Sequence, residues 1–337
     1  FFWEMMVKKY LNLLEQKIEK KLAEEMTVVD AKSLGKAERI SDANGRYIEF
    51  CKSSLKRDIN FSSLKIVLDV ANGAAYDVAP KVFRELGAEL IVIADKPDGL
   101  NINKDCGSTN IEFLKNEVKK HSADYGLALD GDGDRLIFVD ENSEEIDGDE
   151  VLFILARDKF ENQITLGSKG VVGTTMTNKG LEIALKEFGI DLIRSDVGDR
   201  HVLHKLEELE WELGGEQSGH IMCLDLANTG DAIVSSIKFL EAILCSDKSL
   251  SQLLKPFKKY PQILTKINSS DPDKILSNKK FIALCESFLE KVKLKDGRIN
   301  IRKSGTESAI RIMIESTDEN QAKDISNQLT KAAQNIA

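Results

Sequence analysis

The chain has 337 residues, of which 42% are hydrophobic and 31% are charged, and its formal net charge is −9. This length allows about two to four globular domains. The acidic balance, without a basic cluster and interleaved aromatic residues, argues against a nucleic-acid-binding protein. No apolar run reaches membrane-spanning length, and the five widely spaced cysteines fit reduced thiols in the cytoplasm.

An amphipathic helix is predicted over residues 4–25, where apolar side chains recur on one face of the helical repeat. The sequence starts at Phe1 and shows no basic region, apolar core and cleavage site of a signal peptide. We interpret this start as that of a fragment of a larger protein, with processing or trimming as the simpler explanation.

Strands alternate with helices from residue 64 onward, which predicts two consecutive α/β units with mostly parallel mixed sheets. The predicted strands are 64–69, 90–94, 125–129, 136–139, 170–173 and 191–194. The predicted helices are 75–86, 110–121, 150–160, 178–188, 201–209 and 231–244.

The last part of the chain has a different pattern. Residues 250–257, with Pro256 and Pro261, indicate a linker region. Alternating strands and two helices follow, so an α+β domain is predicted. Its strands are 263–267, 298–301 and 310–314, and its helices are 279–292 and 319–333.

Three carboxylates stand at alternate positions in Asp130-Gly131-Asp132-Gly133-Asp134-Arg135, between two apolar strands. Such charges repel one another, so a hard divalent cation with oxygen ligands is the favoured explanation. An acidic solvated turn is one alternative, because Asp and Gly form turns. An EF-hand is another, although Arg135 occupies the position at which that loop needs glycine.

Two further loops offer polar groups. The segment 302–307 combines a guanidinium, two hydroxyls and a glycine, which can bind a phosphate dianion; a hairpin turn with incidental polar residues is the alternative. The segment 215–220 suits a polyhydroxylated ligand, although His220 could also be a structural histidine. Together, the acidic, polyol and phosphate loops point to a phosphorylated sugar whose phosphoryl group moves with metal assistance.

At this point the chain resembles the α-D-phosphohexomutases over nearly its whole length. The resemblance depends on motifs in the family's order, since each motif alone is weak. These motifs are 69–76, 101–103, 106–108, 130–135, 197–200, 214–220, 229–231 and 302–307.

The resemblance implies four domains around a central cleft, with a serine that carries a phosphoryl group. We therefore expect a remnant of the first domain over 1–43, a domain with the metal loop over 44–147 and one with the sugar-binding loop over 148–258. An α+β phosphate-binding domain over 259–337 completes the prediction. No nucleic-acid or membrane partner is expected, and the predicted form is a cytoplasmic monomer or homodimer.

The resemblance also implies roles for individual residues. Mg²⁺ would lie between the phosphoserine and the three aspartates, with Arg135 as a catalytic residue beside them. The implied metal ligands are Asp130, Asp132 and Asp134. The implied substrate-binding residues are Glu216, Ser218, His220, Arg302, Ser304, Gly305 and Thr306, with Arg311 as a second cation at the phosphate.

The implied reaction interconverts glucosamine 6-phosphate and glucosamine 1-phosphate through glucosamine 1,6-bisphosphate, and supplies cell-wall precursor synthesis in bacteria. Gln217 favours the amino sugar; phosphomannomutase or phosphoglucomutase activity is the near alternative. The family's Ala-Ser-His-Asn-Pro serine loop does not occur in this sequence, and Ser308 and Ala232 replace a frequent proline and glycine. We therefore expect the chain by itself to be inactive, with a non-catalytic sugar-phosphate-binding protein as a further alternative.

Overall fold

The structure is a computed structural model that describes residues 14, 17–25, 28–162, 170–293, 297–304 and 307–336. Much of the helix predicted over residues 4–25 lies outside these residues, and the described segment 17–22 is helical. Residues 1–43 form one compact unit and residues 44–337 another. In the first unit, Ala31–Ser33 form a 3₁₀ turn.

The first sheet has five strands in the order β2-β1-β3-β4-β5. β1 pairs in parallel with β2 and β3, whereas β3–β4 and β4–β5 are antiparallel. The carboxyl ends of β1 and β3 therefore lie side by side. The strands are β1 (Lys65–Asp69), β2 (Glu89–Ile93), β3 (Tyr125–Leu129), β4 (Leu136–Val139) and β5 (Glu145–Ile146), and the helices are α1 (Ala43–Ser53), α2 (Val78–Glu85) and α3 (Ile111–His121).

The second sheet has the order β7-β6-β8-β9, with two parallel pairs and an antiparallel last pair. Three of its helices begin at polar caps: Asp147, Asn178 and Asp231 each accept hydrogen bonds from backbone N–H groups of the first helical turn. The helix that follows Gly198 has no side-chain cap. The helices are α4 (Gly148–Glu161), α5 (Lys179–Glu187), α6 (Asp199–Leu209) and α7 (Ala232–Leu244), and the strands are β6 (Gly170–Thr174), β7 (Asp191–Ser195), β8 (Leu213–Gly215) and β9 (Ile221–Cys223).

The segment predicted as a linker at 250–257 is packed onto the second α/β unit. It contains a short helix, α8 (Leu250–Leu254), and the side chains of Leu250, Leu253 and Phe257 are buried. The ring of Phe257 lies 5.8 Å from that of Phe153, measured between centroids. The spacing of its apolar residues therefore determined the structure of this segment, although its prolines had suggested a linker.

The third sheet is antiparallel, in the order β10-β12-β11. Its apolar side chains form a core of their own with the helices that cover it. The elements are β10 (Gln262–Asn268), α9 (Pro272–Leu276), α10 (Lys279–Lys293), β11 (Arg298–Lys303), β12 (Ala309–Glu315) and α11 (Glu319–Gln334). The prediction of consecutive α/β units followed by a C-terminal α+β unit is confirmed.

The two α/β units share one continuous apolar core. Phe138 of β4 and Phe239 of α7 meet there with a ring-centroid distance of 4.2 Å. Helix α7 is buried along nearly its whole length because it packs against α4 and also contacts β4 and β9. The loops at the ends of these elements are consequently held in a fixed relation to one another. Within the described part of the chain, no helix combines the length and apolarity needed to cross a membrane.

Candidate active site

The three aspartates predicted to bind metal converge in the loop after β3. Their carboxylate oxygens lie within 4.8 Å of one another. The loop turns back on itself because Oδ1 of Asp130 accepts hydrogen bonds from the backbone N–H groups of Asp134 and Arg135, each at 3.1 Å. The residues that follow form β4 and not a helix, so the EF-hand alternative is excluded.

The charges of this loop are poorly compensated by the protein. Burial raises the pKa of Asp130 above its usual range, and Oδ1 of Asp134 is buried without a hydrogen-bond partner. Arg135 provides a cation beside these carboxylates, since its Nε lies 3.7 Å from Asp130 and 3.9 Å from Asp134. Converging carboxylates, one of them with a buried oxygen that lacks a hydrogen-bond partner, fit a hard divalent cation, and Mg²⁺ binds well to such oxygen ligands.

Neighbouring elements hold the backbone of this metal loop. The N–H of Ala74 donates to the carbonyl oxygen of Gly131 at 2.8 Å, and the N–H of Ala232 donates to that of Gly133 at 3.0 Å. Gly73 approaches so closely that a Cβ atom there would lie 2.4 Å from the carbonyl oxygen of Gly131. The turn after β1 and the start of α7 therefore determine the shape of the metal loop.

The start of α7 is itself anchored by a tyrosine that the sequence analysis did not identify. The hydroxyl of Tyr47 donates to Oδ2 of Asp231 at 2.8 Å, while Oδ1 of Asp231 caps the helix. Burial, and then the charge of Asp231, raise the pKa of Tyr47, so the phenol remains a donor at physiological pH. No motif contains Tyr47, and only its position in space reveals the contact.

His220, predicted to bind substrate, lies against the metal loop. Its side chain is only 3% exposed, and Nδ1 lies 3.0 Å from Oδ2 of Asp134. Gly230 leaves room for the ring, since a Cβ atom at that position would lie 2.4 Å from Nε2 of His220. The imidazole is thus placed to orient a carboxylate and does not line the cleft described below.

The loop that ends at His220 is fixed at several points. Oε1 of Glu216 accepts a hydrogen bond from the N–H of Gly198 at 2.9 Å, and Oε2 accepts one from Oγ of Ser218 at 3.4 Å. The N–H of Leu136 donates to the carbonyl oxygen of Gly219 at 3.0 Å, and the N–H of Gly148 donates to that of Gln217 at 3.0 Å. Two of the contacting positions require glycine. A Cβ atom at Gly219 would lie 2.1 Å from the carbonyl oxygen of Leu136, and a Cβ atom at Gly148 would lie 2.0 Å from the carbonyl oxygen of Glu216.

The predicted phosphate-binding arginines are neighbours on the C-terminal sheet, where Arg302 of β11 faces Arg311 of β12. Ser304 is buried at the end of β11. The predicted residues Gly305 and Thr306 lie outside the described residues. Lys266 of β10 faces Arg311 from the other side; the sequence analysis missed it, because strand register is not evident from the sequence.

A cleft of about 610 Å³ brings most of these groups together. Arg135 lines it beside the metal loop, Glu216 and Ser218 line it from the second unit, and Arg302 and Arg311 line it from the C-terminal sheet. Cations at two separate places and hydrogen-bonding groups between them are the features that a sugar with phosphate groups requires.

A buried ion pair within the C-terminal sheet, between Arg298 and Glu315, is hydrogen-bonded to the second α/β unit. The Glu315 side chain is fully buried, and its Oε1 accepts hydrogen bonds from the N–H of Lys179 and from Nε2 of Gln262, each at 2.9 Å. Nε of Arg298 pairs with Oε2 of Glu315, and its Nη1 donates to the carbonyl oxygen of Thr175 at 2.9 Å. These contacts position Arg302 and Arg311 relative to the rest of the cleft.

Comparison with known protein families divides the chain into three matched parts. Residues 45–144 and 147–260 match the phosphoglucomutase/phosphomannomutase alpha/beta/alpha domains II and III. Residues 264–332 match the phosphoglucomutase/phosphomannomutase C-terminal domain.

Solved structures share the fold. The chain superposes with a TM-score of 0.71 on the Aspergillus fumigatus N-acetylphosphoglucosamine mutase in complex with GlcNAc-6P and magnesium, at 20% identity over 89% of this chain and 67% of that one. It also superposes with a TM-score of 0.71 on a phosphoglucomutase/phosphomannomutase family protein of Burkholderia thailandensis, at 24% identity over 86% of this chain and 64% of that one.

Curated relatives are more similar in sequence. The chain is 50% identical over 308 residues to phosphoglucosamine mutase 2 of Shewanella sp. (strain MR-7), which covers 91% of this chain and 67% of the relative. It is 47% identical over 322 residues to phosphoglucosamine mutase of Pseudomonas syringae pv. syringae (strain B728a). That match covers 94% of this chain and 71% of the relative. The chain thus spans about two thirds of the length of these relatives. Its motifs, its fold and these identities together make it a member of the phosphohexomutase family of phosphosugar isomerases, and these curated relatives are phosphoglucosamine mutases.

Proposed function

We propose that the chain binds glucosamine 6-phosphate and glucosamine 1-phosphate in the 610 Å³ cleft and serves their interconversion through glucosamine 1,6-bisphosphate. The observation that carries this proposal is the joint lining of one cleft by Arg135, by Glu216 and Ser218, and by Arg302 and Arg311. In this proposal residues 44–147 provide the metal loop, 148–258 the sugar-binding loop and 259–337 the phosphate-binding sheet. The route would supply amino-sugar precursors of the bacterial cell wall in the cytoplasm.

Asp130, Asp132 and Asp134 would hold one Mg²⁺ ion. The ion, when bound, supplies a positive charge that stabilises the negative charge developing on a transferred phosphoryl group. The convergence of the three carboxylates and the free Oδ1 of Asp134 support this assignment. Arg135 is exposed enough to turn from the carboxylates toward a phosphoryl oxygen, since its side chain is 45% accessible.

The other residues orient the sugar. The carboxylate of Glu216, already fixed by the N–H of Gly198, has acceptor capacity left for sugar hydroxyls. Arg302 and Arg311 can hold the phosphate that does not react by charge-assisted hydrogen bonds. Because cations stand at both the metal loop and the C-terminal sheet, a bisphosphate can be held with either end at the metal loop.

The substrate preference rests on the resemblance of Gln217 to the glucosamine enzymes. Gln217 lines the cleft, and its Nε2 donates to Oε1 of Gln262 at 3.3 Å. Its oxygen therefore remains available for an amino group. Phosphomannomutase or phosphoglucomutase activity is the competing assignment.

The serine that carries the phosphoryl group in this family has no counterpart loop in the 337 residues. We propose that turnover requires a polypeptide segment that supplies it, because the chain's other groups position and polarise a phosphoryl group but do not donate one. A coupled assay for glucosamine 1-phosphate, with the bisphosphate present, tests this point. Turnover by the chain alone that disappears in Asp130→Ala would refute it.

Calorimetry with the chain tests the binding part of the proposal. Glucosamine 6-phosphate should bind more tightly than glucose 6-phosphate or mannose 6-phosphate. Arg302→Ala should weaken binding about tenfold to a hundredfold, because a charge-assisted hydrogen bond worth roughly 1.5–3 kcal/mol is lost. Equal affinity of the parent and Arg302→Ala would show that the phosphate-binding residues are misassigned.

A further inference from the structure

Three cationic side chains form one row across the C-terminal sheet. The strand register pairs Lys266 of β10 with Arg311 of β12, and Arg311 with Arg302 of β11. Residues that are directly opposite on neighbouring strands share a face of the sheet, and like charges at such positions destabilise it. The row is therefore unfavourable for folding by itself and becomes favourable when an anion lies on it.

One carboxylate already lies on this row. Oε2 of Glu307 is 2.6 Å from Nζ of Lys266 and 3.6 Å from Nη2 of Arg311. The three side chains are between 44% and 48% exposed, so solvent screens these ion pairs and they contribute little to stability. Since the same oxygen contacts both cations, an anionic oxygen at that place would also meet both.

The surroundings connect this place with the main cleft. Lys266 and Glu307 line a second cleft of about 260 Å³, together with Asn300, Arg302 and Arg311. The two arginines also line the 610 Å³ cleft, which Lys266 does not reach. An anion held between the arginines is thus approached by the sugar-binding loop from one side and by Lys266 from the other.

We propose that Lys266 is a third cation of the phosphate subsite and that the Glu307 carboxylate occupies the place of a phosphate oxygen, from which the ligand displaces it. Once Glu307 is displaced, the three positive charges of Lys266, Arg302 and Arg311 face the two negative charges of a phosphate dianion. This inference rests on the proposed function, since it adds a residue to the same subsite. It makes Lys266 a binding residue and Glu307 a competitor of the substrate.

The test is calorimetric titration of the chain with inorganic phosphate and with glucosamine 6-phosphate. Lys266→Ala should weaken binding of both on the order of three- to tenfold, and should reduce the dependence of affinity on salt. Lys266→Arg should retain most of the affinity. Glu307→Gln should tighten binding by about two- to fivefold, because it removes the competing charge.

Lys323→Ala is the matched control. Lys323 lies on α11, forms an exposed ion pair with Glu319 at 2.5 Å and lines neither cleft, so its removal should leave phosphate affinity unchanged. If Arg302→Ala weakens binding while Lys266→Ala binds like the parent, this inference is wrong and the proposed function stands. If Arg302→Ala also binds like the parent, the phosphate subsite itself is misassigned. Weaker binding by Glu307→Gln would contradict the competing role of that carboxylate.

Discussion

Nδ1 of His220 lies 3.0 Å from Oδ2 of Asp134, and this contact joins the proposed sugar-binding loop of the second α/β unit to the proposed metal loop of the first. A backbone bridge between His220 and Arg135 runs beside it. Hydrogen-bonded partners of a ligating carboxylate fix its orientation. A change in the sugar-binding loop is therefore expected to reach the metal site directly.

We predict that His220→Ala weakens Mg²⁺ binding about 10- to 100-fold, because Asp134 loses the group that orients it. Isothermal titration calorimetry of the chain with MgCl₂ measures this. His201→Ala is the control, since His201 is exposed on α6 and should have no effect. Unchanged Mg²⁺ affinity in His220→Ala would show that the imidazole does not support the metal loop.

Asp132→Asn should reduce Mg²⁺ affinity about tenfold or more, because the site loses one of its three negative charges. Asp132 is exposed, so the variant should fold as the parent does. Asp95→Asn, another exposed aspartate outside the loop, is the matched control in the same titration. Equal Mg²⁺ binding by Asp132→Asn and the parent would exclude the loop as the metal site.

Gly73→Ala should distort the metal loop, since its Cβ atom would lie 2.4 Å from the carbonyl oxygen of Gly131. We expect a loss of about 1–3 kcal/mol in the free energy of unfolding, together with weaker Mg²⁺ binding. Chemical denaturation and calorimetry measure the two effects. Gly45→Ala, in α1, is the control, since a Cβ atom at that position would have no atom within 4 Å other than those of its chain neighbours and its own helix backbone. This variant should be as stable as the parent or more stable by up to about 1 kcal/mol. A Gly73→Ala protein as stable as the parent would contradict the close packing.

Asp149 should make stability depend on pH. Burial, and next the charge of Asp147, raise its pKa to about 8, and its Oδ1 has no hydrogen-bond partner. The folded state therefore favours the protonated acid, and the free energy of unfolding should fall by about 1 kcal/mol per pH unit as pH rises between roughly 4 and 8. Urea denaturation at several pH values should show a flatter curve for Asp149→Asn. Parallel curves for the two proteins would contradict the shifted pKa.

Arg298→Ala should cost about 3–5 kcal/mol of stability, because it leaves the buried carboxylate of Glu315 without its cation. Hydrogen exchange should locate the loss at the contact between the C-terminal sheet and residues 175–179. Lys323→Ala, which removes an exposed ion pair with Glu319, should change stability by less than about 1 kcal/mol. An equally small effect of Arg298→Ala would show that this pair does not hold the sheet in place.

The sequence was sufficient for most of the architecture, since long periodic segments identify their own helices and strands. The helix predicted over 279–292 is found at Lys279–Lys293, for example. Short strands were missed: Ile221–Cys223 has three residues, too few to show alternation. The helix predicted over 110–121 is found at Ile111–His121, and Asn110 precedes it without a capping hydrogen bond from its side chain.

The candidate site was predictable where its residues are adjacent in the chain, as in the metal loop. Groups brought together from distant segments were not. Lys266 could be placed beside Arg311 only from the strand register, and Tyr47 is 184 positions from its partner Asp231. In the sequence, Glu315 looks like an ordinary polar residue at the end of a strand. For His220, the motif gives the residue but not the direction of its side chain, which the structure places 3.0 Å from Asp134.

The loop from Gly214 to His220 touches three parts of the molecule within seven positions. Gly219 is hydrogen-bonded to the start of β4. The carbonyl group of Gln217 is hydrogen-bonded to the start of α4, and its side chain is hydrogen-bonded to β10. An insertion or deletion would therefore break contacts to several units at once. If this loop sets the sugar preference as proposed, we expect that preference to change by side-chain replacement, foremost at Gln217 and Ser218, and not by a change in loop length.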